Sequence, residues 1–110
     1  MPQAGWNEQR REPRAPVKVE IELERKVGRP VRVRTIDLGC GGALVRASRP
    51  LRVDEELHFD VTLPPHVDGT ARVLRQDRLD VYAIRFEGIE PTSLDELRSF
   101  VAASARTHVH

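Results

Sequence analysis

Val17-Lys18-Val19-Glu20-Ile21-Glu22-Leu23-Glu24 alternates apolar and charged side chains without a break. A period of two belongs to a strand with one face in the core and one in water. Val17, Val19, Ile21 and Leu23 are therefore expected to point inward, with Lys18 and the glutamates outward. Leu57-His58-Phe59-Asp60-Val61-Thr62-Leu63 repeats the pattern and is closed by Pro64-Pro65. Between these two, Val31 and Val33 alternate with Arg32 and Arg34 after a turn marked by Gly28 and Pro30, and a third strand is expected over Ala43–Ala47. Asp68-Gly69 reads as a turn leading into a strand around Thr70–Arg75. A polar turn at Gln76–Asp80 then precedes a last strand, Val81–Phe86. Six short strands joined by turns predict an all-β dominated fold, a closed or nearly closed six-stranded antiparallel β-barrel.

The end of the chain changes period. Ser93-Leu94-Asp95-Glu96 after Pro91 fits a capping box, in which the Ser hydroxyl and the Glu carboxylate serve free amides at a helix start. Leu94, Leu97, Phe100 and Val101 then share one helical face, so a C-terminal helix is expected to pack across one barrel opening. Residues 17–106 thus form the predicted domain, with 107–110 a frayed tail. Residues 1–16 form a polar arm. Up to Arg14 its apolar residues are Met1, Ala4 and Trp6, too few to bury the arm, which is expected to be mobile without a ligand.

Composition narrows the functional classes. A chain of 110 residues supports one small domain. The net charge of +1 provides no global field for bulk nucleic acid. The charge is unevenly placed: residues 1–34 carry nine Lys or Arg against five Glu, and residues 35–110 carry nine against twelve acids. The single cysteine, Cys40, allows no intrachain disulfide and reads as a small apolar packer. No apolar run approaches the roughly 20 residues of a membrane span, so a cytoplasmic protein without membrane insertion is expected. His58, His66, His108 and His110 have no catalytic context, no metal cluster stands out, and no nucleophile–base pair can be picked out. The few aromatic residues, 5% of the chain, mostly read as core rather than as stacking platforms for single-stranded DNA or RNA. A binding domain and not an enzyme is expected.

Two stretches carry the binding chemistry. Arg10-Arg11-Glu12-Pro13-Arg14 places three guanidiniums in five residues. Thr35-Ile36-Asp37-Leu38-Gly39-Cys40-Gly41-Gly42-Ala43-Leu44-Val45 joins two apolar runs through a glycine-rich connection with an Asp at its rim. Glycine in such a turn allows positive φ and close approach of another molecule. Together the stretches resemble the signature of PilZ domains, bacterial receptors for cyclic di-GMP: R-x-x-x-R followed by [D/N]-x-S-x-x-G. Arg10 and Arg14 match the first half, with Arg11 adding a third guanidinium. Asp37 and Gly42 match the second, while Gly39 stands where the family has Ser. The resemblance runs from about Arg10 to the helix near Ser104 and implies the same barrel with a C-terminal helix.

The resemblance implies a ligand site made of Arg10, Arg11, Arg14, Asp37, Gly39, Gly41 and Gly42, with no cofactor beyond the ligand cyclic di-GMP. The chemistry fits. A guanidinium fork pairs with phosphate oxygens or with guanine O6 and N7, and a carboxylate accepts from guanine N1–H and its exocyclic amine. Gly41 and Gly42 keep the turn open. Gly39 forgoes one neutral hydroxyl hydrogen bond, of order 0.5–1.5 kcal/mol or up to about tenfold in affinity, and keeps its backbone amide. The resemblance further implies a downstream protein partner and control of motility, exopolysaccharide, biofilm or virulence. The alternative is an adaptor that has lost the nucleotide and acts through protein contact alone.

Overall fold

The structure, a computed structural model, describes residues 14–61 and 66–107. They form β1 (Arg14–Ala15), β2 (Glu20–Arg25), β3 (Val31–Gly39), β4 (Gly42–Ala47), β5 (Glu56–Val61), β6 (Val67–Arg78), β7 (Val81–Ile89) and α1 (Pro91–Thr107). The antiparallel ladder runs β3-β2-β5-β6-β7-β4 and returns to β3, so six strands close a barrel. Closure removes the open edges at which sheets aggregate. β1 stands outside this ring and extends the sheet along the end of β3. β2 pairs with β3 over Val31–Arg34, whereas Ala15 and Arg14 lie opposite Leu38 and Gly39.

Alternation predicts the core well. Ile21, Leu23, Val31, Val33, Phe59 and Val61 are all buried, and Phe59 stacks on Phe86 with ring centroids 4.5 Å apart. Leu97 and Val101 on α1 are fully buried, with Phe100 packed partly against the same core. The helix rests on β1, β3 and β6. Among the described residues, no helix is long and apolar enough to cross a membrane.

Several expectations shift. The first strand was expected from Val17, but its ladder begins at Glu20. The cause is Thr35, a buried polar residue whose amide donates to the Val19 carbonyl at 2.9 Å. Its hydroxyl donates to the Val17 carbonyl at 2.5 Å and accepts from the Val19 amide at 2.8 Å. A side chain thus stands in for ladder bonds over these residues, and Val17 is only partly buried. Asp68-Gly69, read as a turn, lies inside β6. A Cβ at Gly69 would fall 2.0 Å from the Gly88 carbonyl oxygen, so this glycine serves strand contact, beside a register shift at Thr70–Ala71. The helix starts at Pro91 rather than beyond a Ser93 cap: the Leu94 amide already donates to the Glu90 carbonyl at 2.8 Å, and proline suits the first helical position. Thr62, Leu63 and Pro64-Pro65 lie outside the described residues, as do the arm up to Pro13 and the tail residues 108–110.

An ion pair fastens the barrel end that contains the β2–β3 turn. Arg25 Nε and Nη2 donate to the two Glu55 carboxylate oxygens at 2.7 and 2.9 Å, a bidentate fork that is mostly shielded from water. The Arg25 hydrogen bond, aided by the Arg52 amide, holds the Glu55 carboxyl below its ordinary value of 4.5, against the opposing effect of burial. A depressed carboxyl pKa stabilises the fold above the ordinary value, and that contribution is lost as pH falls through the folded value. Wild type should therefore lose more melting temperature between pH 7 and about pH 3.5 than Glu55→Gln, whose side chain does not titrate. Equal losses in thermal melts at the two pH values would remove this pair from the acid response.

Candidate functional site

The two stretches expected to carry the binding chemistry come together at Arg14 and Gly39. Arg14 in β1 is the register partner of Gly39 in β3, so the end of the arginine cluster abuts the glycine-rich turn. This juxtaposition depends on Ala15, fully buried opposite Leu38, which ties β1 into the sheet. Arg10 and Arg11 lie outside the described residues.

Asp37 owes its position to an irregularity in β3. Val31, Val33 and Thr35 point inward, and strict alternation would send residue 37 inward as well. The ladder with β4 instead pairs Thr35 with Val45 and then Asp37 with Leu44, skipping Ile36. The extra residue reverses the phase, so Leu38 turns into the core and Asp37 joins Leu44 on the outer face. A carboxylate that would have entered an apolar core lies half-buried at the barrel surface.

β3 ends at Gly39 and β4 begins at Gly42, with Cys40 and Gly41 between them. The turn does not use the positive φ expected of its glycines: among the described residues, Gly28 at 108° and Asp54 at 73° have it. The glycines serve space instead. A Cβ at Gly42 would fall 2.2 Å from the Ile84 carbonyl oxygen in β7, while one at Gly41 would meet nothing within 4 Å. Gly42 therefore lets two strands close, and exposed Gly41 leaves the surface bare. The Phe86 amide donates to the Gly41 carbonyl at 2.9 Å and fixes the turn against β7. Cys40 is buried.

The ladder adds cations that the sequence reading did not include. On the outer face, Asp37 is followed across the sheet by Leu44, Ala83 and Arg75, and Gly42 by Arg85 and Arg72. The row on the other side of Asp37 sets Arg34 opposite Arg46; Arg34 pairs with Glu20 at 3.2 Å and Arg46 with Asp80 at 2.8 Å. This surface sets the Asp37 carboxylate beside a row of small and apolar residues, exposed Gly41, half-buried Leu44 and buried Gly42 and Ala83, with guanidiniums around it that are paired to Glu20, Asp80, Asp77 and Glu87. It suits an anion that also presents hydrogen-bond donors. Cross-strand neighbours such as Gly42 and Arg85 are 43 positions apart, and nothing in either local sequence announces the pairing.

A family model described as PilZ domain matches residues 8–103. No curated protein matches the chain. Among solved structures, the Bacillus subtilis inhibitor of motility MotI/DgrA superposes with a TM-score of 0.77 at 14% identity, over 91% of this chain. The match takes in 52% of that protein, so this chain spans about half its length. The PilZ domain of Escherichia coli YcgR, solved with c-di-GMP, gives 0.69 at 18% identity over 90% of this chain and 93% of that one. The PilZ domain of CeSA from a cellulose-synthesizing bacterium gives 0.64 at 18% identity, over 82% and 95% of the two chains.

Proposed function

The chain belongs to the PilZ domain family, and from that premise we propose that it is a receptor for cyclic di-GMP that closes its arginine arm over the ligand and presents the result to a partner protein. The observation that carries this reading is the placement of Arg14 opposite Gly39, with Asp37 turned outward by the bulge beside the same turn. In this reading Asp37 accepts from the guanine N1–H and amine, and adenine has no matching pair of donors. Arg10, Arg11 and Arg14 take the phosphates and the O6/N7 edge. Gly39 offers its backbone amide, and Gly41 and Gly42 admit the ligand close to the main chain.

The family match and the c-di-GMP-bound YcgR domain support the ligand class. Departure from the family motif at Gly39 keeps a second reading in play, a nucleotide-free adaptor. Amide exchange separates the two. Saturating cyclic di-GMP should protect residues 8–16 and 39–42 and leave the β5 amides unchanged. An exchange pattern identical with and without the nucleotide would leave the adaptor as the function.

A further inference from the structure

We infer that Arg85 is a further ligand-contacting residue of this site, a guanidinium mounted on a barrel strand rather than on the arm; the inference rests on the cyclic di-GMP reading above. Tyr82, Ile84 and Phe86 are buried, so the alternation of β7 turns Arg85 to the outer face, where its side chain is 55% exposed. Its register partner is Gly42, which has no side chain to cover it. Gly42 and Leu44 share one face of β4, and Leu44 is the partner of Asp37. Asp37 and Arg85 therefore flank the row of small and apolar residues from opposite sides, two strand spacings or about 10 Å apart laterally. A ligand that spans this row from Asp37 would meet Arg85.

The guanidinium is held yet available. Arg85 Nη2 donates to Glu87 Oε2 at 2.9 Å, and Arg72 Nε donates to the same oxygen at 3.1 Å. Arg72 also donates to the Asp54 carbonyl at 2.9 Å. Arg72 and Arg85 are direct cross-strand partners, an arrangement of like charges that one shared carboxylate neutralises only in part. Glu87 thus orients Arg85, whose other N–H donors can take a second anion. The exposed pair is a weak competitor for that role. An arginine on a strand is ordered before ligand arrives, which limits the entropy lost on binding.

The test is titration calorimetry with cyclic di-GMP on wild type, Arg85→Gln, Arg85→Lys and the charge-matched control Arg29→Gln. Arg29 lies in the β2–β3 turn, at the far end of β3 from Gly39. Thermal melts of each variant accompany the titrations. Arg85→Gln should bind about tenfold more weakly, Arg85→Lys should recover part of the loss, and Arg29→Gln should match wild type. Wild-type binding with Arg85→Gln within twofold would overturn the inference and leave the receptor reading standing. Equal weakening by Arg29→Gln would also overturn it, because the effect would then be one of net charge. No binding by wild type would remove both the inference and the reading under it.

Discussion

Asp37→Ala is expected to weaken cyclic di-GMP binding by about a hundredfold or more. Two guanine donors meeting one carboxylate make two charge-assisted hydrogen bonds of about 1.5–3 kcal/mol each, and the lower sum already corresponds to about two decades of affinity. The bulge at Ile36 aims this carboxylate outward, so removing it should act on the ligand more than on the core. A parallel melt separates a lost contact from a lost fold. Asp37→Asn is the sharper variant. It keeps the shape but replaces one acceptor with a donor, so it should recover little of the affinity. A change of less than about threefold in Asp37→Ala would remove Asp37 from the site.

Gly42→Ala should destabilise the barrel by about 2–3 kcal/mol, a cost typical of overpacking where neighbours cannot yield. The obstruction is the β7 backbone: the new methyl would sit 2.2 Å from the Ile84 carbonyl oxygen and 3.2 Å from Arg85 Cα. Relief requires β4 and β7 to separate at the point where the ladder closes beside the turn. Gly41→Ala, one residue away, meets nothing within 4 Å and should change stability by less than about 0.5 kcal/mol. Denaturant unfolding of the two variants tests the contrast, and equal stabilities would refute the packing argument. If the ligand passes over the turn, Gly41→Ala lowers affinity without lowering stability.

Much of this fold can be read from the chain because alternation is a local property. Val19–Leu23, Val31–Val33 and Leu57–Val61 point where a period of two says they should, since a strand with one wet face has no other solution. The difficulties share one origin. Thr35, Gly69 and Ile36 take their roles from strands distant in sequence: a hydroxyl that replaces ladder bonds, a glycine pressed against Gly88, and a bulge that reverses the phase of β3. A trace of the bulge is visible in hindsight, since apolar positions shift from Val31 and Val33 to Leu38.

The site divides in the same way. Asp37, Gly41 and Gly42 stand out because short polar and glycine residues interrupt an apolar run. The meeting of Arg14 with Gly39 and the approach of Arg85 to Gly42 are consequences of register, which single-strand patterns do not encode. The turn glycines act through another property than the one expected of them. Conformational freedom at positive φ gives way to space, used by β7 at Gly42 and left open at Gly41.

Calorimetric titration of the wild-type chain with cyclic di-GMP, with GTP as the control ligand and Arg14→Ala alongside, tests the receptor reading most directly. Micromolar or tighter binding of cyclic di-GMP, absent with GTP and lost in Arg14→Ala, is the predicted result, and the stoichiometry comes with it. Absence of binding by the wild-type chain would contradict the reading, identify Gly39 as the mark of a lost nucleotide site, and direct the search to a protein partner.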